Sequence, residues 1–176
     1  RHTPRQNHLL AALAREDYER VRPHLEPVPL PLCWTVHGSG EREKHLHFLT
    51  SGIVSRFYVT ENGASAESSV TGNEGVIDVA SFLGGGSTPS QAAVLSPGYS
   101  YRLGADLLRS EFAHDGPLPH LLLHYTQALI VQTGQIAACK RFHSLDQRLC
   151  RWILSCLDRL PSHELTMTQE LIADML

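Results

Sequence analysis

Eleven histidines in a chain of 176 residues are the side chains best suited to chemistry. His120 and His124 stand four apart, a spacing that puts two imidazoles on one helical face and suits a pair of metal ligands. Two-fold symmetry could bring four imidazoles near each other. Neither has an acidic or thiol partner nearby in sequence, so a solvated polar face is the preferred reading and no metal site is predicted. His37, His45 and His47 could meet across a hairpin, with Glu41 as the nearest carboxylate. Their spacing matches a metal enzyme's ligand set poorly, and surface strand positions account for them. Cys33, Cys139, Cys150 and Cys156 show no close pairing, which fits a reducing, cytoplasmic setting and neither a disulfide framework nor a zinc knuckle. The chain has no nucleophile elbow, no P-loop and no HExxH, so it is not expected to be an enzyme. Gly84-Gly85-Gly86 could cradle an anion through backbone N–H groups, but a flexible turn is the commoner use of such a run.

The elements that must position these residues fall into two kinds. From residue 28 to residue 103 short strands alternate with turn signals. Residues 45–49 alternate polar and apolar, residues 52–60 form a strong strand, and Glu61-Asn62-Gly63 closes it with a hairpin signal. Residues 66–70, 91–95 and 99–103 are further strands, and the spacing suggests a β-sandwich or roll. A helical lead-in occupies residues 7–23, restarting at Ala14-Arg15-Glu16-Asp17, before four prolines between 23 and 31 forbid helix. A short helix is expected at 106–112, with Asp106 as an early-turn acid.

Residues 117–143 read as one long helix. Leu118, Leu122, Tyr125, Leu129, Gln132, Ile136, Cys139 and His143 recur at alternating steps of four and three. Such a seam faces either a partner helix, with Gln132 fixing register, or the core of its own domain. The dimer contact is the expectation adopted, with Cys139 able to meet its symmetry mate. Ser144 caps a second helix, with Gln147 at the reciprocal position. A last helix opens at Thr168-Gln169-Glu170. The apolar fraction of 42% supports a sizeable core, and a formal charge of −3 excludes a broadly basic surface that coats nucleic acid. No apolar run is long enough to span a bilayer, so no membrane association is expected.

In this order, the parts resemble the Crp/Fnr superfamily of bacterial transcription regulators. The resemblance rests on Thr35-Val36-His37-Gly38-Ser39-Gly40-Glu41, His45 to Phe48 and Ser51-Gly52-Ile53-Val54 as the first roll hairpins, with Gly40-Glu41 and Gly52 in tight turns. It rests also on Asn73-Glu74-Gly75-Val76-Ile77 leading into a ligand cassette, on the long helix, and on Met167-Thr168-Gln169-Glu170-Leu171-Ile172-Ala173 as the first helix of a winged helix-turn-helix. The implied fold is α+β. A cyclic-nucleotide-binding-like β-roll (double-stranded jelly roll) with its lead-in covers residues 1–113. A dimerisation helix covers 114–143, and the first part of a winged helix-turn-helix, without its recognition helix, covers 144–176.

The resemblance implies a DNA-binding, homodimeric, cytoplasmic regulator whose roll senses a small-molecule effector, with DNA and RNA polymerase as partners of the complete protein. The cassette departs from nucleotide-binding members. Their glutamate falls at Val79 and their arginine at Ser90, and no Arg or Lys occurs between Arg56 and Arg102. Ordinary cyclic-AMP binding is therefore not expected, and the degenerate pocket comprises Asp78, Val79, Gly84, Gly85, Ser90 and Gln91. Relatives that carry iron–sulfur clusters hold them on clustered N-terminal cysteines. Here only Cys33 precedes the long helix, so no cofactor is expected. Thr168 and Gln169 could touch DNA phosphate at a helix N-terminus but could not read sequence. Two other readings stand beside this one: a cupin-like metal-dependent enzyme, and a regulator without ligand that acts by protein contact.

Overall fold

The computed structural model describes residues 2–114, 116–161, 164, 165 and 172. A 3-10 turn at Pro4–Gln6 leads into α1 (His8–Ala12) and α2 (Arg15–Val21). Asn7 caps α1, its Oδ1 accepting from the N–H groups of Leu9 and Leu10 at 3.1 and 3.2 Å. Its Nδ2 donates to the carbonyls of Leu49 and Gly75 at 2.9 and 2.8 Å. One fully buried amide thus fastens the lead-in to the roll, and every polar atom it carries is satisfied.

The roll is one antiparallel sheet of β1 (Glu26–Leu30), β2 (Thr35–His37), β3 (His45–Val59), β4 (Ser65–Thr71), β5 (Val76–Ile77) and β6 (Gln91–Gly104). The order is β1-β6-β3-β4, with β2 also on β6 and β5 also on β3. Two expectations are corrected here. Residues 45–49 and 52–60 are one strand, and so are 91–95 and 99–103. Gly52 is therefore a kink inside β3, not a turn between hairpins. The β3–β6 register slips between Leu49 and Val54, where Gly52 has φ +80°. A Cβ on Gly52 would lie 2.6 Å from the Ser96 carbonyl oxygen, and one on Gly98 would lie 2.2 Å from that of Ser51. The two glycines let the backbones pinch together and bend both strands into a roll. The turns at Gly40 and at Asn62-Gly63 form as expected.

Four further helices stand among the described residues: α3 (Ala80–Leu83), α4 (Ala105–Ala113), α5 (Pro117–Phe142) and α6 (Leu145–Leu157). Pro117 opens α5 at a position where its missing N–H costs nothing. The capping box on α6 is present: Gln147 N–H donates to Ser144 Oγ at 3.4 Å and Ser144 N–H to Gln147 Oε1 at 3.0 Å. Arg20 of α2 forks onto the buried Glu111 of α4 through two bonds of 3.1 Å. The main core joins Leu10, Tyr18, Phe48, Leu103, Leu118 and Leu122. A second cluster joins Ile53, Val70 and Leu95 of the roll to Trp152 and Cys156 of α6. No helix among the described residues is long and apolar enough to cross a membrane.

The 4-3 seam of α5 lies against the chain's own roll. Leu118, Leu122, Ile136 and Cys139 are buried, and Tyr125 packs on the main core. Gln132 Nε2 donates to the Val70 carbonyl at 3.3 Å. Cys139 Sγ lies 3.0 Å from His143 Nδ1. Of the two readings open for the seam, the packing within this chain matches the one that faces its own domain. Heptad spacing marks a buried stripe but does not say what buries it. The opposite face is the exposed one: Ile130 is 68% exposed, Val131 66% and Leu123 46%. The helix of residues 168–176, with the phosphate contacts assigned to Thr168 and Gln169, lies outside the described residues.

Candidate effector cavity and a buried carboxylate–histidine cluster

Strands β3 and β4 present Arg56, Tyr58, Ser68 and Ser69 toward α5, which answers with Thr126, Leu129, Ile130 and Thr133. Val79 and Leu83 close the remaining side, and the cavity between them measures about 350 Å³. That falls within the usual range for small-molecule sites. At its inner end Arg56 Nη1 donates to Ser90 Oγ at 3.1 Å, and Ser90 Oγ lies 2.6 Å from Thr88 Oγ1. The β3–β6 register pairs Arg56 with Ala92 and Phe57 with Gln91, which sets the guanidinium beside Ser90. An arginine thus stands where the cassette lacks one, supplied by the neighbouring strand. Its sequence position, 34 residues before Ser90, hides that placement.

The cassette residues separate into four groups. Val79 lines the cavity, and Ser90 reaches it through Arg56. Gln91 is half-buried in the β6 ladder. Gly84 and Gly85 are exposed, and the Gly86 N–H is spent on the Ala80 carbonyl at 3.1 Å. The triglycine run is therefore used as a turn after α3, with Gly84 at φ +90°.

Asp78 faces away from the cavity, into the roll. It holds φ +72°, a conformation that Asp tolerates better than most residues. His37 Nδ1–H donates to Asp78 Oδ1 at 2.5 Å. His37 Nε2 points at Glu43 Oε1 from 3.8 Å, and His47 Nε2 stands 3.9 Å from Asp78 Oδ2. Glu43 is fixed from behind, its Oε2 accepting the Ala80 N–H at 2.7 Å. Burial, with the nearby Asp78 charge second, pushes the Glu43 carboxyl above its ordinary range. Burial likewise lowers His47. Glu43 comes from the run Glu41-Arg42-Glu43-Lys44, which reads as solvated loop, and nothing in its spacing marks one member as buried. His120 and His124 are both exposed on α5.

A second buried acid links the roll to α6. Glu67 Oε2 accepts from Trp152 Nε1 at 3.0 Å and from Ser55 Oγ at 2.9 Å. Burial raises this carboxyl above its ordinary value, and the two hydrogen bonds pull it part of the way back.

No family model matches the sequence, and no curated protein matches it. Solved structures do. The cyclic di-GMP responsive global regulator CLP of Xanthomonas campestris superposes with a TM-score of 0.73 at 16% identity, over 92% of this chain and 84% of that one. FixK2 from Bradyrhizobium japonicum gives 0.72 at 14%, over 85% and 76%. A chain from Eubacterium rectale, described as a transcriptional regulator of the Crp/Fnr family, gives 0.70 at 14%, over 95% and 78%. The rolled sheet followed by a long helix is thus the fold of Crp/Fnr-type regulators. None of these comparisons supports a cupin-like enzyme.

Proposed function

With the Crp/Fnr-type fold as the premise, we propose that this chain is the sensing and dimerising part of a DNA-binding transcription regulator. The layout of α5 carries the reading. Its inner face seals the cavity over Arg56, its outer face leaves an apolar row exposed, and its end passes directly into the capped α6. The outer row again steps by four and three: Leu123, Gln127, Ile130, Gly134, Ala137, Arg141. A Cβ on Gly134 would meet nothing within 4 Å in its own chain, so that position has room for a second helix to approach closely. A second copy of this chain is the occupant that such a self-complementary row fits, giving a two-fold dimer. Ile130 belongs to both the row and the cavity wall, so the partner would help to close the cavity.

The effector is a small molecule bearing an anionic group, held by the Arg56 guanidinium with the Ser90 and Thr88 hydroxyls beside it. Position in the fold supports cyclic nucleotides as the first probes, and cyclic di-GMP is included because one structural neighbour responds to it. DNA is the partner of the domain that α6 begins, with RNA polymerase as a further partner in the cytoplasm.

Calorimetric titration with cyclic AMP, cyclic GMP and cyclic di-GMP tests the reading, with the oligomeric state measured in parallel. Micromolar binding to a dimer, weakened roughly tenfold or more in Arg56→Gln, is the expected result. Absence of binding to a folded dimer removes the nucleotide and leaves the regulator. A monomer at all concentrations removes the dimer.

A further inference from the structure

We propose that His37 and Glu43, with Asp78 positioning the His37 ring, bind one divalent transition-metal ion inside the roll, behind the Arg56 guanidinium that lines the effector cavity. One donor atom from each residue lies within 4.8 Å of the others. The site is dry: the His37 side chain is 5% exposed and that of Glu43 is 0% exposed.

Two polar atoms here have no hydrogen-bond partner among the described residues, and they face each other. They are His37 Nε2 and Glu43 Oε1, 3.8 Å apart. Fully buried polar atoms are normally satisfied, and leaving two unsatisfied in one spot is costly. A cation between them satisfies both at once. The separation suits it, because two ligand bonds of about 2.0–2.2 Å each span nearly that distance. Arg56 does not satisfy this oxygen. Its Nη1 lies 3.7 Å from Glu43 Oε1, beyond hydrogen-bonding range, and already donates to Ser90.

The surroundings are those of a metal ligand. A ligating imidazole usually donates its other N–H to a carboxylate, which fixes the tautomer and the ring plane. His37 does this through Nδ1 to Asp78. Glu43 is aimed by the Ala80 N–H on its other oxygen. Imidazole nitrogen mixed with carboxylate oxygen, without thiolate, selects zinc, cobalt, nickel, manganese or ferrous iron over cuprous copper or calcium. An entry path exists, since a second cavity of about 470 Å³ is lined by Glu43 itself with Arg42, Lys44, Ser81 and Gly86.

The ion would tie β2 and the loop before β3 to the turn after β5 that starts the cassette. It would therefore give the sensor domain a second input.

Equilibrium dialysis of the wild-type chain against micromolar Zn²⁺ or Co²⁺, followed by X-ray absorption at the metal edge, tests the proposal. The expected result is one ion per chain in a nitrogen and oxygen shell that contains imidazole. His37→Gln and Asp78→Asn should each weaken binding by about tenfold or more. The double change His120→Ala with His124→Ala should leave it unchanged. Four results overturn the proposal: no stoichiometric ion on the wild type, sulfur in its metal shell, loss of the ion with the surface pair, or wild-type affinity in folded His37→Gln. The absorption measurement uses the unaltered chain, so a variant that fails to fold does not shelter the proposal.

Discussion

Neighbouring residues on α5 separate its two faces, and replacing each with aspartate tells them apart. Ile130 is 68% exposed on the outer face and only borders the cavity, whereas Leu129 is half-buried in the cavity wall. Fully burying an aliphatic side chain is worth about 1.5–3 kcal/mol. Two-thirds of that, lost from both protomers of a two-fold dimer, comes to about 2–4 kcal/mol. At 1.4 kcal/mol per factor of ten, Ile130→Asp should weaken dimerisation by about 30- to 700-fold. The like charges brought together across the axis add to the loss. The variant should remain folded, because the replaced side chain touches little of its own domain. Leu129→Asp should do the reverse: it places a carboxylate in the cavity wall, lowers stability and abolishes effector binding, yet leaves the folded fraction dimeric. Sedimentation velocity across roughly 1–100 μM protein, with circular dichroism as the fold control, reads both. An Ile130→Asp chain with the wild-type dimerisation constant would falsify the outer-face assignment. Monomerisation by Leu129→Asp alone would return the seam to the partner helix.

Two further outcomes follow from the roll itself. Glu67→Gln should alter the pH dependence of stability. The carboxyl is raised above its ordinary 4.5 by burial, so the folded state holds the proton more tightly than the unfolded chain. Its stabilising contribution is complete below 4.5 and is lost as pH climbs through the folded value. Urea midpoints of the wild type should therefore fall relative to Glu67→Gln as pH rises above that point, and parallel curves would contradict the assignment. Arg151 and Lys140 are the cations that face Glu67, and both favour its ionised form. Gly98→Ala should destabilise by about 1–3 kcal/mol or more, because the new Cβ meets the Ser51 backbone at 2.2 Å. An unchanged urea midpoint would show that the β3–β6 pinch yields easily.

Local chemistry made much of the fold legible in advance. Asn62-Gly63, Pro117 and the Ser144–Gln147 box each act within a few residues, so the hairpin and the starts of two helices could be read directly. Gly52 was legible as a conformational exception but not as a kink. A turn and a strand bend make the same local demand for positive φ, and only pairing with β6 distinguishes them. The seam on α5 was legible as a buried stripe and illegible as to its partner. The cavity was the least accessible feature. Arg56 meets Ser90 only through strand register, and Glu43 meets His37 and Asp78 only when the loop folds back over the roll. Such contacts between distant residues leave no periodicity behind.

In the proposed regulator, α5 is where every input converges, and this restricts how a signal can travel. The same helix walls the cavity, presents the outer row and hands over to α6, whose Trp152 sits in the roll's core and donates to Glu67. A ligand can move α6 only if it binds one arrangement of these contacts better than another. The Trp152–Glu67 bond is suited to be the contact that differs, because it joins the two modules through a buried acid whose ionised form is disfavoured by its surroundings. Breaking it leaves that acid with Ser55 as its remaining hydrogen-bond donor among the described residues, so release of α6 costs free energy that effector binding must supply. Trp152→Phe removes the donor and keeps a smaller aromatic ring in the cluster. If the bond holds α6 to the roll, this variant should exchange the amide protons of α6 faster than the wild type while those of β3 and β6 stay protected. Equal protection in α6 would mean that apolar packing around Trp152 and Cys156, and not the buried acid, sets the position of the module that follows.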